Sequence, residues 1–147
     1  SLNLAPKSDT ELAAALRIAV MRLRRRLVAE RHPDNELSMS AMSALQYLYR
    51  DGVLAQGELA RLERVQPSSM NRTVRWLAEH GYVARRAAAD DKRLVLVELT
   101  ERGAAVVRAD RAQRNAWLAR QLQGLDDHER DVLRRAAPIL HRLAEGD

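Results

Sequence analysis

Apolar residues recur at helical spacing near both ends of the chain, and the rhythm changes to alternation once in between. Leu12, Leu16, Val20, Leu23 and Leu27 follow one another at intervals of four, four, three and four, so they share one helical stripe. Arg17, Arg24, Arg25 and Arg31 fall off it. Ser8-Asp9-Thr10-Glu11 has the spacing of a capping box and predicts a first helix over about residues 9–31, ended by His32-Pro33-Asp34-Asn35. Ser38 or Ser40 can cap a second helix with Ala41, Leu45 and Leu48 on one face, closed by Asp51-Gly52. A short third helix, Gln56–Glu63, buries Leu59 and Leu62. Arg64-Val65-Gln66 makes a turn, and Pro67 opens a fourth helix that runs to His80 and stops at Gly81.

The period then shortens. Tyr82–Ala88 and Leu94–Leu99 read as two strands around the polar turn Asp90-Asp91-Lys92-Arg93, with Val95, Val97 and Leu99 on one side of the second strand. Thr100 caps a long helix over about residues 101–122. Asp126 with Glu129 opens a last helix in which Val132, Ala136, Ile139 and Leu143 keep the four-three-four rhythm, and Pro138 should bend it. The expected fold is mainly α with a small β-hairpin wing: a winged helix-turn-helix with long N- and C-terminal helices. It is one domain of 147 residues, with 36–100 as the winged region and 9–35 plus 101–147 as a helical dimerisation region. The terminal stripes exceed what so small a central domain can cover, which asks for a second subunit.

Charge sharpens this picture. Of the net +5, residues 61–93 contribute +4, with eight basic and four acidic side chains. A local basic surplus points first to a polyanion. The fourth helix divides by face: Met70, Val74 and Leu77 turn inward, and Ser68, Asn71, Arg72, Arg75 and Glu79 turn outward. Hydroxyl, amide and guanidinium groups are those that contact phosphates and base edges in a major groove, although an ordinary amphipathic surface helix also has polar residues outside. At the hairpin tip Asp91 stands two residues before Arg93, where a carboxylate can hold the guanidinium in one pose for a narrow minor groove. Arg85 and Arg86 on the preceding strand would add phosphate contacts.

Asp91-Lys92-Arg93-Leu94-Val95-Leu96-Val97-Glu98-Leu99-Thr100-Glu101-Arg102-Gly103 resembles the D-x-R-x-x-x-V-x-L-T-x-x-G wing signature of the multiple-antibiotic-resistance regulator (MarR) family. Pro67-Ser68-Ser69-Met70-Asn71-Arg72-Thr73-Val74, then Leu77 and Gly81-Tyr82-Val83, looks like that family's recognition helix running into its first wing strand. The resemblance implies a homodimeric transcription factor, usually a repressor, on a pseudo-palindromic operator in double-stranded DNA, paired through its N- and C-terminal helices. By position it sends Arg93 to the minor groove braced by Asp91, turns Ser68, Ser69, Asn71, Arg72 and Arg75 to the major groove, and sets Gln56 against phosphate. Many members release DNA when a small, often aromatic or phenolic, anion binds. Such an effector would lie near Leu16, Arg17, Val20, Met42, Leu45 and Tyr49, although apolar side chains in those helices also make plain core.

Composition removes other chemistry. Cysteine is absent, which excludes disulfides, thiolate metal sites and thiol redox sensing. None of His32, His80, His128 and His141 is paired with another at i,i+4, so no metal is expected. The six glycines are scattered singly, Ser68, His80 and Asp91 have no local catalytic frame, and Asp90-Asp91 and Asp126-Asp127 sit at a turn and a helix start. Neither an enzyme nor a cofactor is expected. No apolar stretch approaches a membrane span, so a cytoplasmic protein is expected. Two alternatives stay open: a winged helix that binds another protein, and a non-specific DNA-binding protein.

Overall fold

In the computed structural model, which describes residues 5–146, the chain runs α1 (Asp9–Ala29), α2 (Met39–Asp51), β1 (Leu54–Ala55), α3 (Gln56–Glu63), α4 (Pro67–Glu79), β2 (Val83–Ala87), β3 (Val95–Leu99), α5 (Glu101–Gln123) and α6 (Asp127–Glu145). The described residues divide into two compact units, residues 31–112 and residues 5–30 with 113–146. No helix among the described residues is long and apolar enough to cross a membrane.

The unit of residues 31–112 is built around α2, α3, α4 and a three-stranded antiparallel sheet ordered β1-β3-β2. Leu45, Leu59, Met70, Val74, Leu77, Val97 and Val107 fill its core, each almost completely buried. The Ser38 hydroxyl caps α2 by accepting from Ala41 N at 3.1 Å, and Gly52 ends it at φ 78°. β1 is absent from the sequence reading. It has two residues, and only its register with β3 (Leu54 opposite Val97, Ala55 opposite Leu96) makes it a strand. The hairpin expected over Tyr82–Leu99 is present, with Val83 opposite Leu99 and Ala87 opposite Val95.

The first helix ends two residues earlier than its stripe suggests. Glu30 is extended, and the backbone N–H of His32 donates to Asp110 Oδ1 on α5 at 2.9 Å instead of continuing the helix. Asp110 is fully buried, and its other oxygen accepts from Asn35 Nδ2 at 2.7 Å. Asn35 Oδ1 in turn accepts from Leu37 N at 2.9 Å. One buried carboxylate therefore orders the whole segment before α2, a role no local signal announces.

In the second unit Ser8 caps α1, Asp126 and Glu129 form a complete capping box on α6, and α6 continues past Pro138 to Glu145. Arg114 donates to Leu27 O at 3.1 Å, and the Arg26 guanidinium stands 5.0 Å from the Trp117 ring centre. None of the described residues of α1 or α6 is buried, so their apolar stripes lie open.

Candidate nucleic-acid interface

The interface begins with the turn between α3 and α4. Arg64 takes the left-handed conformation at φ 58°, and Val65 N returns to Ala60 O at 3.0 Å. Pro67 then supplies a first helical residue whose missing N–H costs no hydrogen bond. Met70, Val74 and Leu77 anchor α4 inward, as the split of its faces predicts, and fix which residues face outward. Ser68, Arg72, Arg75 and Glu79 are exposed, while Ser69 and Asn71 are half-buried on the flanks. Gln56, the first residue of α3, is half-buried and donates from Nε2 to Asn71 Oδ1 at 3.2 Å.

The wing is held by β3, the middle strand of the sheet. At its tip Asp91 Oδ1 accepts from both the backbone N–H of Arg93 at 3.0 Å and its Nε at 3.3 Å. The rest of the Arg93 side chain projects into solvent, 93% exposed. Arg85 and Arg86 are both exposed but leave β2 on opposite faces, since Arg85 pairs with Val97 and Arg86 with Leu96. Arg86 also stands 3.8 Å from Glu98. The two arginines thus serve different sides of the hairpin.

At the wing's exit the Thr100 hydroxyl donates to Gly81 O at 2.6 Å and accepts from Gly103 N at 3.2 Å, capping α5 while closing the strand pair. The sequence reading leaves one group at the rear of α4 unassigned. Trp76 stacks on His80 with ring centres 3.9 Å apart, and the Tyr82 ring centre lies 6.1 Å from that of Trp76 in a nearly parallel plane. The Arg102 guanidinium covers Tyr82 at 4.5 Å. This ladder ties the end of α4 to the start of α5. The i,i+4 spacing of Trp76 and His80 is the one sequence signal for it.

Residues 37–95 match the model of the family described as MarR family. The HTH-type transcriptional regulator MT0903.1 of Mycobacterium tuberculosis is 44% identical over 138 residues, 94% of this chain and 96% of that protein. The chain belongs to the MarR family. Among solved structures, a putative transcriptional regulator from Pseudomonas aeruginosa PA01 superposes with a TM-score of 0.83 at 34% identity, covering 95% of this chain and 96% of that one. A MarR family protein from Bacillus stearothermophilus gives 0.73 at 26% identity, covering 93% and 95%. The molecule is accordingly a MarR-family transcriptional regulator that binds DNA through a winged helix-turn-helix.

In this MarR-family fold the residues expected at an effector site have varied settings. Met42 and Leu45 are core side chains of the winged unit. Tyr49 is half-buried there, with the Arg111 guanidinium 4.4 Å from its ring centre. Arg17 and Val20 are exposed on α1, and Leu16 is half-buried.

Proposed function

We propose that this MarR-family regulator acts as a homodimeric repressor on a pseudo-palindromic operator. The observation that carries the reading is the open stripe of the terminal helices. Leu12, Val20, Leu23, Val132, Ile139 and Leu143 are each 43–64% exposed, on helices that bury none of their described residues. Apolar faces of that extent call for a partner surface, and a two-fold copy of the same chain supplies one that matches by construction.

Two α4 helices related by that axis would enter successive major grooves about 34 Å apart. Ser68, Ser69, Asn71, Arg72 and Arg75 would contact base edges and neighbouring phosphates. Arg93, braced by Asp91, would enter the flanking minor groove, and Arg85 and Arg86 would add backbone contacts. Gln56 sits where α3 meets that surface. Ser68, Arg72 and Arg75 on the outer face of α4 favour DNA over a protein partner there, and Trp76, the exposed aromatic of that helix, is stacked on His80. The same reading has a small aromatic or phenolic anion releasing the operator by binding one dimer geometry better than another. Tyr49, with its ring faced by Arg111, is the effector contact to test first.

The test is selection of duplexes from a random library by purified protein near physiological salt, with the mass in solution measured in parallel. A dimer and an inverted repeat with half-sites about one helical turn apart are expected. A monomer, or salt-sensitive binding with no shared sequence, would overturn the reading in favour of non-specific binding.

A further inference from the structure

Gln56 carries the one buried polar side-chain atom among the described residues that has no hydrogen-bond partner, its Oε1. Its other terminal atom, Nε2, donates to Asn71 Oδ1 at 3.2 Å. The opposite orientation of both amides would bury an unpaired NH2 group in place of a carbonyl oxygen. Orphaned buried N–H groups are rarer than under-satisfied carbonyl oxygens, so the observed orientation is favoured. Asn71 therefore has one lone pair of Oδ1 engaged inside the protein, which holds the plane of its amide, and both N–H bonds of Nδ2 uncommitted.

An asparagine that reads adenine needs both functions at once, accepting from N6–H and donating to N7. Guanine offers N7 and O6, two adjacent acceptors, on the same edge. We propose that Gln56 is a specificity-determining residue: by holding Asn71 Oδ1 it fixes the pose of that amide and leaves Nδ2, with two free N–H bonds, as the group offered to a base edge, which favours a G·C pair over A·T. This rests on the reading of α4 as the base-contacting helix. It gives Gln56 a role distinct from a phosphate contact, acting on the operator through Asn71.

The experiment compares duplex selection by the wild-type protein, Asn71→Ala, Gln56→Ala and Gln56→Leu, with melting curves for each. Asn71→Ala identifies the operator position that depends on Asn71, and wild-type protein is expected to select G·C there. Either Gln56 variant should shift that position toward A·T by roughly fivefold or more in relative affinity, leaving other positions unchanged. A second measurement needs no variant: 7-deazaguanine at that position should weaken wild-type binding. Four results would overturn the proposal: no position that depends on Asn71, A·T selected there by wild type, G·C retained by folded Gln56 variants, or indifference to 7-deazaguanine. A wild-type selection with no shared sequence would instead bring down the operator reading itself.

Discussion

Asp91 grips Arg93 twice through one oxygen, once at the main-chain N–H and once at Nε, while the end of the guanidinium stays free in solvent. The brace removes rotamer freedom in the free protein, so on the proposed reading less entropy would be lost when Arg93 enters a groove. Arg93→Ala should lower operator affinity tenfold or more and leave the melting temperature nearly unchanged, because an exposed ion pair adds little to folding. Asp91→Ala should cost less, roughly two- to tenfold, the equivalent of one ordered side chain. Fluorescence anisotropy with a selected duplex checks both. Tighter binding by Asp91→Ala would mean that its charge repels phosphate more than its grip helps.

Gly103 admits no side chain without movement of the backbone. A Cβ there would lie 2.1 Å from the carbonyl oxygen of Tyr82 and 3.0 Å from Leu99 Cδ2. The Tyr82 carbonyl is already held by Thr100 N at 3.1 Å, so it cannot swing aside cheaply. Gly103→Ala gains up to about 1 kcal/mol in helix propensity, against an overpacking cost of about 1–3 kcal/mol or more. A net loss of stability is expected, with weaker operator binding as the wing shifts against α4. Thermal melting and anisotropy on the same preparation measure the two effects. A melting temperature at or above wild type would show that α5 can retreat from the wing without penalty.

The elements of this fold were legible wherever a local rule decides them. The four-three-four stripes, the Ser8, Ser38 and Asp126 caps and the glycine ends at Gly52 and Gly81 place helices to within two residues. The inward face of α4 and the Asp91–Arg93 brace follow from spacing alone. What escaped depends on partners distant in the chain. β1 exists only through β3, α1 stops because Asp110 captures His32 N from 78 residues away, and the Gln56–Asn71 bond joins two helices across a turn. Periodicity registers which face is buried and is silent on which polar atoms meet.

Asp110 offers a measure of such long-range order. Its carboxylate accepts from the His32 N–H and the Asn35 amide, and the Asn35 carbonyl is already committed to Leu37 N. Asp110→Ala leaves the part-buried His32 N–H without its acceptor and the Asn35 amide with only Met42 Sδ at 3.2 Å, and should cost roughly 1–3 kcal/mol in urea unfolding. Asp110→Asn should cost nearly as much, since Asn35 cannot turn over to accept from the new NH2 group without releasing Leu37. Values within about 0.5 kcal/mol of wild type, the range of ordinary surface changes, would mean that water replaces the carboxylate there.

The turn that sets α4 against α3 holds the opposite opportunity. Arg64 is the one described non-glycine residue at positive φ, in the left-handed region where an L side chain costs roughly 1–2 kcal/mol. Its side chain is exposed, so glycine removes the strain without opening the core. Part of the gain is offset by the freer unfolded chain that glycine allows, about 0.4–1 kcal/mol. Arg64→Gly should therefore raise the melting temperature by roughly 1–4 °C. Operator affinity should change little, because Arg64 lies outside the set of α4 and wing residues proposed to contact DNA. A fall in melting temperature would reveal a stabilising contact of the arginine side chain. A loss of affinity with the fold intact would add Arg64 to the phosphate-contacting surface.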